Sequence, residues 1–187
     1  GRRTMIITQL ELNNFKSYAQ AEIAFERGTN AIIGPNGSGK SSLLEAIGFA
    51  LFDFREHTLS GYLREGANSG SVVATMISSF DEREYEVERC FSAKSTTRYR
   101  VYDVALGRTN IAEGHEEVCD WLHEHLRVDR SATLGTLFEN TVGVPQGTLT
   151  GAFLQARATR KTIFDPLLQV EEYGKASDNL RETIRYL

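Results

Sequence analysis

The sequence predicts an α/β fold, and three observations carry that reading. A short apolar run, Asn30 to Ile33, ends bluntly at Gly34. The stretch Gly34-Pro35-Asn36-Gly37-Ser38-Gly39-Lys40-Ser41 follows and satisfies G-x-x-x-x-G-K-[ST] in full. Leu43, Leu44, Ile47, Phe49 and Leu51 then recur at helical spacing, so strand, glycine-rich loop and helix come in the order such a loop requires.

The remaining elements follow from periodicity. Apolar and polar residues alternate from Met5 to Leu12 and again from Ala21 to Phe25, which predicts paired strands joined through the Asn13 to Gln20 turn. The bluntness of the Asn30 to Ile33 run predicts a buried strand feeding the loop. From Ser71 to Ala105 strands predominate: Val72 to Ile77, Tyr85 to Phe91 and Thr97 to Val104, with turn-like separators around Asp81 to Arg83 and Ser92 to Ser95. That pattern predicts an antiparallel meander over 71–105, packed as a small lobe beside the first sheet. Helices are predicted near His115 to Leu126, Ser131 to Glu139, Thr159 to Leu168 and Glu171 to Leu187, with Ser131 and Thr159 as N-caps. Residues 1–4 read as an extension before a natural start at Met5.

Composition narrows the class without naming it. The 187 residues are 41% hydrophobic and 25% charged, ordinary values that argue against wholesale disorder, collagen or coiled coil throughout. Lys+Arg 21 against Asp+Glu 25 gives a net charge of -4, which offers no bulk attraction for nucleic acid. Cys90 and Cys119 fit neither a disulfide framework nor a C-x-x-C ribbon, so a reducing compartment is expected. No apolar run reaches a membrane span, and the expected location is cytoplasmic.

The loop's chemistry is readable. Glycines at 34, 37 and 39 allow consecutive N–H groups to turn inward on phosphate oxygens, and the following helix adds its N-terminal dipole. Lys40 brings a point charge to the β- and γ-phosphates, and the Ser41 hydroxyl is a Mg²⁺ ligand. ATP with Mg²⁺ is therefore the expected ligand.

Hydrolysis needs more than a cradle: an acid to hold Mg²⁺ and a group to orient water, usually an Asp-Glu pair closing an apolar strand. Asp81-Glu82 follows Thr75-Met76-Ile77-Ser78-Ser79-Phe80, but two serines break the run and Asp81 to Glu84 resembles a hairpin turn. Leu59-Ser60-Gly61 is read as a loop, His115, His123 and His125 as residues of a surface helix, and Arg98, Arg100 and Arg108 as a solvated face, because Glu82, Glu84, Glu86 and Glu88 share the meander.

Several stretches together resemble one family. Asn14-Phe15-Lys16-Ser17-Tyr18, the loop from Gly34 to Ser42, Val144-Pro145-Gln146-Gly147, Arg160-Lys161-Thr162-Ile163-Phe164-Asp165 and Val170-Glu171-Glu172-Tyr173 look like the N-terminal head segment of SbcC-type DNA double-strand-break repair ATPases, within the SMC branch of ABC-type ATPases. The resemblance implies a P-loop NTPase fold of the ABC-ATPase head type. It implies a head half over 5–170, then the start of a coiled-coil helix over 171–187. The signature and the Asp-Glu pair would lie on a C-terminal half of the same head, which accounts for the missing acid. Tyr173, Ala176, Leu180, Ile184 and Leu187 agree with a coiled-coil root by their 3/4 spacing.

By the same resemblance, Gln146 is the glutamine-loop residue, reaching Mg²⁺ and the attacking water. Lys40 joins it as a catalytic group. Lys16 and Ser17 approach the nucleotide phosphates, and Asn36, Gly37, Ser38, Gly39, Ser41 and Ser42 complete the binding set. The implied partners are a second head, an SbcD-type nuclease subunit and double-stranded DNA. The function implied is ATP-driven head dimerisation controlling DNA binding and nuclease activity. Two alternatives stay open: an SMC-type chromosome-organising tether, and a self-contained P-loop NTPase or kinase using Asp81-Glu82.

Overall fold

A computed structural model of the chain describes residues 4–143. Gln146, the helices expected over 159–168 and 171–187, and the coiled-coil root lie outside the described residues, as do residues 1–3.

Six strands form one antiparallel sheet in the order β2-β1-β3-β4-β5-β6, with β1 Ile6–Phe15, β2 Tyr18–Ala24, β3 Ser69–Ile77, β4 Glu84–Ser92, β5 Thr96–Asp103 and β6 Thr109–Glu113. Period-two alternation sets the register. Val72, Ala74 and Met76 of β3 and Tyr85, Val87 and Phe91 of β4 are buried on one face, and β1 adds Leu10, Leu12 and Phe15 to the same core. The meander is therefore not a separate lobe beside the first hairpin. β3 pairs directly with β1 (Leu12 opposite Val72), so hairpin and meander share one sheet and one core.

Two other expectations are corrected. Asn30 to Ile33 forms no strand, and Ile33 is 91% exposed with Ile32 at 40%. An apolar run becomes a strand only where a neighbour completes its backbone hydrogen bonds, and none of the described residues pairs with this one. The helix expected from Ser131 begins later, as a single turn α4 (Leu134–Leu137) with Thr133 at its N-cap, and passes into a π turn over Phe138–Val142.

Helix α1 (Lys40–Leu51) lies across the sheet, burying Leu43, Ala46, Ile47, Phe49, Ala50 and Leu51. Its Phe49 joins Phe15, Phe91 and Tyr62, the last from the short helix α2 (Leu59–Tyr62), in an aromatic cluster with centroids 5.1–6.1 Å apart. Leu59-Ser60-Gly61 is thus the helix that seats Tyr62. The far end of α1 is held by the sheet. Arg89 of β4, 1% exposed, donates to the Phe49 carbonyl at 2.7 Å, and Tyr99 of β5 donates to the Ala50 carbonyl at 2.7 Å. These donors satisfy carbonyls that a helix C-terminus leaves open.

Helix α3 (His115–Leu126) packs on β5 and β6 and buries Val118, Leu122 and His125, the last against Ser78 and Tyr85 at the β3–β4 turn. His125 stacks on Trp121 at 3.9 Å and shares a hydrogen bond with the Ser78 hydroxyl at 2.9 Å. Burial holds its imidazole below the ordinary 6.5, against the opposite pull of the Asp81 and Glu124 charges. Below that value the unfolded chain binds a proton at this site more readily than the folded chain, so the site's contribution to stability is lost as pH falls. We expect the urea midpoint to drop from about pH 7 to about pH 5, and to drop less steeply in His125→Gln. An identical slope in both proteins would contradict this.

Candidate nucleotide site

The β1–β2 hairpin turns on two residues, Lys16 and Ser17, with Phe15 paired to Tyr18 and Lys16 at φ 49°. The turn is held from beneath. Lys16 N–H donates to the Tyr62 carbonyl at 2.7 Å, Arg64 N–H donates to the Asn14 carbonyl at 3.0 Å, and Phe15 stacks on Tyr62 at 5.2 Å. This places Lys16 and Ser17 over the loop that opens α1.

Gly39 is where the two segments meet. It caps α1 at φ 92°, in the left-handed region, and a Cβ there would lie 2.7 Å from Ser17 Oγ and 2.9 Å from the Tyr18 ring. Both the backbone conformation and the close approach require glycine. The Tyr18 hydroxyl donates to the Gly39 carbonyl at 3.3 Å, and Lys40 Nζ donates to the carbonyls of Gly34 (2.8 Å) and Pro35 (2.7 Å), folding the loop around its ammonium group.

The result is a cavity of about 390 Å³ lined by Lys16, Ser17, Asn36, Gly37, Gly39, Lys40, Ser41 and Ser42. Eight of the residues expected to bind nucleotide are thereby brought together from two separate segments. Ser38 stands apart from the lining, with its backbone N–H on the Pro35 carbonyl at 3.2 Å. The lining contains two ammonium groups, the N-terminus of a twelve-residue helix and no carboxylate. That combination attracts a polyanion. The Ser41 hydroxyl supplies the oxygen donor that a hard cation accompanying such an anion takes.

Sequence reasoning missed Glu45, which forms an ion pair with Lys16 and lies 4.0 Å from His57 Nε2. A signal was present, since Glu45 is the one acid in the run from Lys40 to Leu51 and follows Ser41 by one helical turn.

Asp81-Glu82 is remote from the cavity. It lies in the β3–β4 turn, beyond the Ile77–Ile6 pair, whereas the loop meets β1 at its Phe15 end. Ten residues of strand separate these ends by about 30 Å. Asp81 is engaged within its own turn: it accepts from the Tyr85 hydroxyl at 2.6 Å and from the Arg83 N–H at 3.1 Å. Burial alone would raise the Asp81 carboxyl, but those two bonds hold it below the usual carboxylate value. The meander arginines are paired as well: Arg98 with Glu88 at 3.6 Å, Arg100 with Glu113 at 2.6 Å and Arg108 with Glu86 at 2.6 Å. Among the described residues no helix is long and apolar enough to cross a membrane.

Loop, helix and sheet together give a P-loop nucleotide-binding fold of the ABC-ATPase head type. The chain belongs to the AAA domain family, whose model matches residues 9–186. It is 31% identical over 186 residues to a DNA double-strand break repair Rad50 ATPase of Methanococcus maripaludis, covering 94% of this chain and 17% of the relative. A protein of the same description from Halobacterium salinarum is 32% identical over 182 residues, covering 95% of this chain and 20% of that protein. The chain thus spans about a fifth of the length of these curated relatives. Among solved structures, an Smc head domain with coiled coil and joint from Pyrococcus yayanosii superposes with TM-score 0.70 at 22% identity, over 97% of this chain and 36% of that one. A chain from work on ATP-driven dimerization and DNA-stimulated activation of SMC ATPases gives TM-score 0.63 at 24% identity, over 86% of this chain and 98% of that one. The resemblance read from the sequence, to double-strand-break repair ATPases of the SMC branch, agrees with these likenesses.

Proposed function

We propose that this chain is the N-terminal, ATP-binding half of the head of an SbcC-type (Rad50) DNA double-strand-break repair ATPase, with residues 5–170 in the head and 171–187 opening the coiled coil. The observation that carries the reading is a cationic phosphate cradle lined by Lys16 and Lys40, with the chain's Asp-Glu pair about 30 Å away at the other end of the sheet. The exposed Ile32 and Ile33 support it, because a C-terminal half of the head could supply the strand they lack.

In this reading, Lys40 and Lys16 bind the β- and γ-phosphates, backbone N–H groups of Gly37 and Gly39 surround them, and Ser41 with Gln146 would hold Mg²⁺. Mg²⁺ there neutralises charge that develops on the phosphates. Gln146 orients water, since an amide accepts from water without adding charge. Two heads, each completed by its C-terminal half, engage across ATP, and engagement controls DNA binding and an SbcD-type nuclease in the cytoplasm. ATP drives that engagement only if it binds the engaged state more tightly than the open one. Sedimentation velocity of the completed head tests this: a dimer with ATP and Mg²⁺ and a monomer without is expected, and a monomer under both conditions would sink the reading.

A further inference from the structure

We propose that Asp53, His115 and Cys119 form a binding site for a thiophilic divalent cation of the Zn²⁺ type, separate from the nucleotide cavity. His115 and Cys119 stand one turn apart on α3 and so share a helix face. Asp53 reaches the same point from the segment leaving α1. His115 Nε2 lies 2.8 Å from Asp53 Oδ2 and 3.8 Å from Cys119 Sγ, and the three donor atoms all fall within 4.8 Å of one another.

The arrangement is convergent, not a relay. A cysteine nucleophile activated through histidine needs the thiol on one ring nitrogen and the carboxylate on the other. Here both address the same nitrogen, Nε2. Burial and the Asp53 charge also push the Cys119 thiol up to about 11, so it is protonated at neutral pH and is a poor nucleophile.

A tetrahedral Zn²⁺ with ordinary bond lengths spaces nitrogen and oxygen by about 3.3 Å and nitrogen and sulfur by about 3.6 Å, so the two separations from His115 Nε2 need to change by roughly half an ångström or less. Thiolate with imidazole selects Zn²⁺ over Mg²⁺ or Ca²⁺. Binding forms one bond to each donor and releases the thiol proton to solvent, with no change of oxidation state. The His115 side chain is 64% exposed, which leaves the site open and a fourth position for water.

The surroundings are built for this. Arg89 Nη1, 2.8 Å from Asp53 Oδ1, fixes the carboxylate so that Oδ2 faces His115. The bound cation would tie the C-terminal end of α1 to α3, about 18 Å along the helix from Lys40. A second cluster, Glu45, Glu56 and His57, differs in that Lys16 already neutralises Glu45.

The test is a Co²⁺ titration of the reduced, purified chain without nucleotide. One Co²⁺ per chain is expected, with thiolate-to-cobalt charge-transfer absorption that Zn²⁺ displaces. Cys119→Ser should abolish the band, Cys90→Ser should keep it, and His115→Ala should weaken binding by at least about tenfold. Because the His115 side chain is exposed, its variant is expected to fold, and Zn²⁺ should raise the unfolding temperature of the wild type but not of His115→Ala. No charge-transfer band, or a band that survives Cys119→Ser, overturns the proposal. ATP affinity is read separately through Lys40, so failure here leaves the nucleotide reading untouched.

Discussion

ATP with Mg²⁺ is expected to bind the chain at least a hundredfold more tightly than it binds Lys40→Ala. Lys40 Nζ is held by the Gly34 and Pro35 carbonyls at the wall of a cavity that contains one other ammonium group, that of Lys16. Lys16 is shared with Glu45, so Lys40 carries most of the uncommitted positive charge. A hydrogen bond to a charged group contributes about 1.5–3 kcal/mol, and two such bonds to phosphate oxygens exceed the roughly 2.7 kcal/mol that a hundredfold change requires. Gly39→Ala should also lose binding, for a different reason: the added Cβ meets Ser17 and Tyr18 and distorts the loop while leaving its charge intact. Isothermal titration separates the cases from an adventitious interaction. Equal affinity in wild type and Lys40→Ala would remove the loop from the site.

Arg89→Met is expected to destabilise the fold by about 3 kcal/mol, the largest effect predicted away from the nucleotide. The substitution keeps a long apolar side chain between the rings of Phe49 and Tyr99, over which the Arg89 guanidinium sits at 4.2 and 4.7 Å. It removes the bond to the Phe49 carbonyl and the ion pair with Asp53. A helix C-terminal carbonyl is then left without its charged donor, and a half-buried carboxylate without its cation. His115, 2.8 Å from Asp53, keeps the cost below that of an isolated buried charge. Urea unfolding measures the difference; a change under about 1 kcal/mol would mean that the pair roughly offsets its own desolvation.

The phosphate loop was legible as a motif, and the first hairpin, the strands of the meander and α3 were legible because each has a local periodicity. His115 to Leu126 was read with its observed bounds, and Val72 to Ile77 lies within β3. The fifth link of the sheet was not, since β6 buries Ala112 alone of its five residues and so has no alternation to read. Asn30 to Ile33 misled for the converse reason: its apolar residues signal a strand, but a strand also needs a neighbour. In the site, motif residues were legible and their connections were not. Lys16–Glu45 joins residues 29 apart, Arg89 to Phe49 spans 40, and His115 to Asp53 spans 62, and no short window of sequence holds such pairs. A charged residue inside an alternating strand, as Arg89 is in β4, is the one trace such a buried pair leaves.

ATP turnover by the chain alone, set beside turnover by the chain joined to its C-terminal half, shows whether hydrolysis needs an acid outside this chain. We expect binding without turnover above background for the chain alone and sustained turnover once the C-terminal half supplies the acid. Turnover by the chain alone, abolished by Glu82→Gln, would contradict this and return the chemistry to the β3–β4 turn.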